Sequence, residues 1–453
     1  MPIERKFHAI TNRGKDEIIV LGPDGEVSVG KFIARAAKLA AQLPDHRYVI
    51  NLATDRYHFI LGFVAAIIAG RCTLMPPNRQ QQTVQQVAGE YIDCISLGEE
   101  SIDGVERFEI DFDSLAATDT DVAVPKISSR QLCAIVFTSG STGTPTPNHK
   151  YWETLRVGTL SNVELLMQNV TDRVNLVATV PPQHMWGLET SVLFPLFCNV
   201  AVYHQTPFFP KDIADALELL PEPRMLVSSP VHLSAFLSSD VAQLKIDKIL
   251  SATAPMSAEL ARNLEEQFDA RVVEVFGCSE AGILAKRITA VEEPWQLSRT
   301  FALEVNDDVT IIRAPHLPEE VILHDIIEII DKGHFHWRGR HQDMINIAGK
   351  RGSLADLNHR LQAIPGVVDG VVFMPYADSK RLAALVVAPN LETSDIVAQL
   401  KLGIDSAFLP RPIYKVPILP RQETGKMARE TIVELFARTK RSRATKDGDA
   451  TDN

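Results

Sequence analysis

The densest chemistry in the sequence lies in Thr138-Ser139-Gly140-Ser141-Thr142-Gly143-Thr144-Pro145-Thr146-Pro147, where the apolar run Gln131–Phe137 gives way to hydroxyls and glycines. Glycine lets consecutive backbone N–H groups turn inward as an anion nest, and the hydroxyls add further donors. A loop of this make-up suits phosphate oxygens. It is not a Walker A loop, which passes from Gly-Lys-Ser/Thr straight into a helix, because Pro145 and Pro147 cannot sit in a helix interior. Nor do Ser139 and Ser141 form a hydrolase elbow, since no Gly-x-Ser-x-Gly surrounds them.

Other candidates are unremarkable one at a time. His184 reads as a satisfied core histidine, Glu280 as an acid at a helix N-terminus, and Asp325 and Arg340 as strand-edge charges. Lys426 reads as a solvated lysine. Their order along the chain changes this. The Thr-Ser-Gly-Ser-Thr-Gly-x-Pro loop resembles the phosphate loop of the adenylate-forming superfamily, which includes acyl- and aryl-CoA ligases and the adenylation domains of peptide synthetases. Val180-Pro181-Pro182-Gln183-His184-Met185-Trp186-Gly187 resembles that family's Pro-x-x-His-x-x-Gly segment, and Ser251-Ala252-Thr253-Ala254-Pro255-Met256 its small-residue adenine turn. Phe276-Gly277-Cys278-Ser279-Glu280 resembles its aromatic-Gly-x-Ser/Thr-Glu motif. Asp325 precedes Gly333 by eight residues and Arg340 by fifteen, the family's intervals for a ribose-gripping Asp, a turn glycine and an Arg. Pro420-Arg421-Gln422-Glu423-Thr424-Gly425-Lys426 resembles its C-terminal Gly-Lys loop.

The resemblance implies ATP and Mg²⁺ as cofactors and a two-step reaction, acid to acyl-AMP and then to a thiol. Thr138, Ser139, Gly140, Ser141, Thr142 and Gly143 would cradle phosphates. Thr253, Ala254, Pro255, Phe276 and Gly277 would border adenine. Ser279 would contact the α-phosphate, Glu280 would help hold Mg²⁺, and Asp325 and Arg340 would contact ribose and phosphate. His184, Trp186 and Gly187 would form the acid pocket, and Lys426 would bridge carboxylate and α-phosphate. Rotation about Gln342 would then bring a thiol channel near Gly349 and Arg351 into play. Three positions depart from the family: Thr146 replaces a lysine, Gln342 an Asp or Lys, and Leu323-His324 a Thr-Gly. Either Lys150 supplies the missing loop charge or backbone N–H groups do. The Thr-Gly-Thr-Pro-Thr-Pro-Asn-His-Lys variant resembles ligases of aryl polyene and xanthomonadin-type pigment pathways. That implies a hydroxybenzoate-like acid loaded onto an acyl carrier protein. The alternatives are an AMP-forming acyl-CoA ligase using coenzyme A, and a non-catalytic nucleotide-binding protein on the same fold.

Short apolar runs alternating with helical patterns must position these residues. Strands are expected at Glu17–Leu21, Tyr48–Leu52, Cys72–Met75, Val174–Val180, Met225–Ser228, Ile249–Ala252 and Val272–Phe276. Helices are expected at Val29–Leu43, His58–Ala69, Trp152–Asn169 and Ala258–Phe268. This rhythm is that of an α/β layered fold. The expected organisation is a large N-terminal α/β domain over 1–339, a small mobile α+β lid over 340–438 carrying Lys426, and a disordered tail over 439–453. The 453 residues carry 57 acidic against 46 basic side chains, a net charge of −11. This disfavours a nucleic-acid surface. The longest apolar run, Phe59–Ala69, is too short for a transmembrane segment, and five scattered cysteines suit a reducing compartment. A cytoplasmic protein is expected.

Overall fold

The structure, a computed structural model, describes residues 4–22, 25–116, 122–139, 145–168, 172–239, 241, 244–291, 294–306, 309–340, 344–347, 350–376, 379, 381–421 and 427–449. Two large sheets organise residues up to 340. One joins six described strands in the order Pro145–Tyr151, Leu132–Ser139, Cys72–Met75, Tyr48–Asn51, Cys94–Leu97 and Glu106–Phe108. The other has eleven. At its centre, Arg271–Cys278, Lys248–Ser251, Arg224–Ser228, Val174–Ala178, Val200–Tyr203 and Ile18–Gly22 lie parallel. Antiparallel strands Gly282–Arg287, Trp295–Leu297, His334–Arg340 and Asp325–Ile329 extend one edge. The continuous apolar character of the central strands follows from helices covering both faces.

Local rules account for the helices. In Val29–Gln42 the Ser28 hydroxyl accepts from the Lys31 N–H at the first turn, while Phe32, Ile33, Ala36 and Leu39 form one buried stripe. Arg56–Ile68 is apolar nearly all round because both sides are covered, and Asp55 caps it by accepting from the His58 N–H. In the second sheet's core, Phe268 stacks on Phe236 with centroids 4.9 Å apart and planes 12° from parallel.

Residues beyond 343 gather into apolar clusters of their own. The strands Asp369–Phe373, Ala383–Val387 and Ile413–Lys415 pack Leu361, Ile396 and Leu400 on one face and Phe436 on the other. The preceding strand, His334–Arg340, ends where the sequence expects the lid to begin.

Three features differ from expectation. The proline-containing segment after the phosphate loop is an antiparallel strand, Pro145–Tyr151, with Pro145 opposite Ser139 and Pro147 opposite Phe137. It occupies a sheet edge, the one place where a missing N–H costs no ladder bond. Leu188–Leu193 forms a π-helical turn inside an otherwise unassigned apolar run. The last helix runs Arg429–Asp449, through the segment expected as a disordered tail. Its Ala, Lys and Arg residues are good helix formers and no proline interrupts them.

Phe268→Ala should lower the unfolding free energy by about 3–5 kcal/mol, the usual cost of emptying a buried aromatic site. The measurement is the urea midpoint, which should fall while the slope m stays unchanged.

Candidate functional site

Parallel strands expose unpaired backbone groups and loop starts at their carboxyl ends, and ligand clefts of α/β sheets form there. A cavity of about 990 Å³ opens at these ends in this chain. Thr138, from the end of Leu132–Ser139, lines it. His184 and Trp186 enter from the loop after Val174–Ala178. Thr253, Ala254 and Pro255 come from the loop after Lys248–Ser251. Phe276, Gly277, Ser279 and Glu280 come from the end of Arg271–Cys278, and Asp325 from the sheet edge. Eleven residues singled out in sequence, spread over nearly two hundred positions, therefore share one cavity.

Close backbone packing holds these segments, although Gly187, expected in the acid pocket, is not itself part of the wall. Gly187 has no room for a side chain, because a Cβ there would overlap the Pro181 carbonyl. Gly277 packs against the Gly282 carbonyl in the same way. Thr253 sits at φ +82°, a strained conformation for a β-branched residue. It turns the chain back beneath Ala254 and Pro255. Glu274, 2 % exposed, secures that turn by accepting from the Met256 N–H at 2.9 Å, and it also pairs with Arg287. Asp325 is buried, its Oδ1 accepting from the Trp337 indole at 2.6 Å, with Arg340 opposite it in strand register. The Trp186 indole donates to the Ser228 carbonyl.

Lys150, offered by the sequence as a phosphate-loop cation, is 1 % exposed and not part of the cavity wall. Its Nζ donates to the Glu280 carbonyl at 2.8 Å, and burial pulls its pKa down. It therefore anchors the Glu280 turn from behind. Gly140, Ser141, Thr142, Gly143, Gln342, Gly349 and Lys426 lie outside the described residues, as do the side chains of Ser139, Arg340 and Arg351. Among the described residues no three His, Cys, Asp or Glu converge as a metal cage. A divalent cation would have to arrive with nucleotide phosphates, for which Glu280 on the wall is a fitting carboxylate. The nearby thiol is no nucleophile at neutral pH, because burial pushes Cys278 up to about 12.

Several wall residues escaped sequence reasoning, among them Arg79, Glu274, Trp337, Arg421 and Glu189. Glu189 sits on the π-helical turn, 4 % exposed, and accepts from Asn162 Nδ2 at 2.9 Å and the Ile283 N–H at 3.2 Å. Burial pushes its carboxyl up to about 7, opposed by those two donors and by Lys150. One signal was available in the sequence: Glu189 is the only charge between His184 and Cys198.

A model of the family described as AMP-binding enzyme matches residues 39–311. The 4-coumarate–CoA ligase of Halorhodospira halophila is 24% identical over 271 residues, covering 59% of this chain and 66% of that protein, just under two thirds of its length. The 3,4-dihydroxybenzoate–aryl-carrier protein ligase of Bacillus anthracis is 21% identical over 312 residues, covering 65% and 72%. Among solved structures, ATP-bound MatB from Rhodopseudomonas palustris superposes with a TM-score of 0.81 at 18% identity, over 94% of this chain and 97% of that one. That likeness shows a shared fold.

The raised Glu189 pKa carries a sign. The folded chain holds this proton more tightly than the unfolded one, so its stabilising contribution is complete below about pH 4.5 and is lost as pH rises through about 7. Relative to Glu189→Gln, the wild type should lose roughly 3 kcal/mol across that window, from 1.36 kcal/mol per unit. Urea midpoints of both proteins at pH 4.5 and pH 8 check this.

Proposed function

The chain belongs to the AMP-binding enzyme family, and on that premise we propose that it activates a carboxylic acid with ATP and hands the acyl group to a phosphopantetheine thiol. An oxygen of the acid attacks the α-phosphorus and the bond to the β-phosphate breaks. Acyl-AMP forms and pyrophosphate leaves with the electron pair. The thiolate then attacks the acyl carbon and AMP departs. The acid is aromatic and hydroxybenzoate-like, and the thiol is that of an acyl carrier protein.

One observation carries this reading: Thr138, His184, Thr253, Glu280 and Asp325, from five separate segments, meet in a single cavity. No covalent nucleophile is needed, because the chemistry is positioning plus charge stabilisation at phosphorus. Two anions must approach each other, so the site has to offer donors. The loop N–H groups of 138–143 and the ammonium of Lys426 take that role. Mg²⁺ held beside Glu280 supplies further positive charge to the phosphates when bound. Asp325, fixed by Trp337, grips the ribose, and the turn at Thr253–Pro255 offers adenine a flat backbone surface. Trp186 and His184 border the acid. An aromatic acid is supported by the relatives named for 4-coumarate and 3,4-dihydroxybenzoate. Those same relatives use coenzyme A in one case and a carrier protein in the other, two carriers of one thiol.

An ATP–pyrophosphate exchange panel of hydroxybenzoates, cinnamates and fatty acids, followed by transfer to coenzyme A or to a carrier protein, tests the reading. Exchange confined to fatty acids, or with no acid, overturns it. Lys426→Ala should cut exchange by roughly a hundredfold or more, the scale of losing one transition-state donor. It should leave thiolysis of supplied acyl-AMP running. Asp325→Ala should raise the KM for ATP by about tenfold, as expected when a buried hydrogen bond to a ligand is lost. Steady-state kinetics with varied ATP measure it.

A further inference from the structure

A carboxyl buried at the wall of a cavity needs a partner for each oxygen, since desolvating an acceptor without a donor is costly. Glu189 has this for one oxygen. Both of its hydrogen bonds, from Asn162 Nδ2 and from the Ile283 N–H, end on Oε1. Among the described residues no hydrogen bond ends on Oε2, and Glu189 lines the cavity. The chain makes room for this. Gly282 sits at φ +86°, and a Cβ there would stand 2.5 Å from Oε1 and 3.5 Å from Oε2. The π-helical turn that carries Glu189 follows directly on the segment that brings His184 and Trp186 to the same wall.

The hydrogen bonds of packing do not by themselves account for the second oxygen. Tying the helix Trp152–Leu166 to the strand Gly282–Arg287 uses Oε1 alone, and a glutamine carbonyl would serve equally. The second acceptor oxygen exceeds what packing requires.

We infer that Glu189 is a specificity-determining residue of the acid pocket, whose free oxygen accepts a hydrogen bond from an uncharged hydroxyl on the body of the acid. This rests on the ligase reading above and narrows its substrate class. The charges around Glu189 favour a neutral donor. Lys150 already acts on it as a counter-charge, so a cationic ammonium group would meet repulsion from a second buried cation. An anionic group would meet Glu189 itself. The same repulsion turns the acid's carboxylate away from Glu189.

The test, run at pH 8 where the Glu189 carboxyl is ionised, compares kcat/KM in ATP–pyrophosphate exchange for benzoate, the three hydroxybenzoates, the matching methoxybenzoates and an aminomethylbenzoate. Wild type should prefer at least one hydroxybenzoate over benzoate by tenfold or more. The matching methyl ether, which cannot donate, should lose that preference. Glu189→Gln keeps an Oε1 acceptor for Asn162 and Ile283 but places an NH₂ donor where Oε2 stood. It should reduce the hydroxybenzoate-to-benzoate ratio at least tenfold while unfolding no earlier than wild type. Equal use of benzoate and hydroxybenzoates, retention of the preference by the methyl ether, an unchanged ratio in the variant, or a preference for the aminomethyl acid each overturns the inference and leaves the ligase reading standing. Absence of exchange with every acid overturns the ligase reading and the inference together. The methyl-ether comparison needs no variant, so a folding defect in Glu189→Gln does not shelter the inference.

Discussion

Strands that end beneath a ligand cleft leave backbone carbonyls pointing into a dry interior, and each must find a donor there. Two buried cations meet this demand. The guanidinium of Arg56, 0 % exposed, donates to the Ala178 carbonyl at 2.8 Å and the Val180 carbonyl at 2.9 Å. It also reaches the hydroxyls of Ser191 and Thr206. It thus clamps the strand end, the start of the His184 segment and the π-helical turn. Burial lowers its pKa to about 9, so it remains charged at neutral pH. The ammonium of Lys150 does the same for the Glu280 carbonyl. Both cations come from elements early in the chain and hold loops far downstream.

Around the cavity, glycines are pressed against their neighbours. Gly187 lies against Pro181, Gly277 against Gly282, and Gly282 against Glu189. Such contacts leave no space for a methyl group, so Gly187 and Gly277 are demanded by their neighbours, and Gly282, at φ +86°, by its own backbone as well. Close packing of this kind brings main chain within reach of a flat ligand and holds the wall side chains in fixed directions. Glu274 and Trp337 stiffen another part of the wall, the first by locking the turn before Met256 and the second by orienting Asp325.

Much of this was readable in the letters, and for identifiable reasons. Cys72–Met75 and, to within one residue, Met225–Ser228 are strands where expected, and Ala258–Phe268 is a helix as expected. These are short apolar runs or a strong amphipathic stripe, whose period survives any tertiary context. Pro145–Tyr151 and the continuation of the last helix past Arg438 went the other way. Prolines suggested irregular chain until a sheet edge was available, and a charged segment without an apolar face gave no periodic signal for helix.

Thr138, His184, Trp186, Thr253, Phe276, Glu280 and Asp325 were each singled out by motif and interval, and the fold brings all of them to one cavity. Lys150 and Glu189 belong to another category. Their importance lies in burial and in a partner 130 residues away for Lys150, 27 and 94 away for Glu189. A one-dimensional pattern records residue types but not the loss of water around them. Residue type and spacing therefore announced a nucleotide cleft in an α/β frame. Which charges lie buried beneath it, and which carboxyl oxygen takes the hydrogen bonds of the packing, depends on distances between remote segments that exist only once the chain has folded.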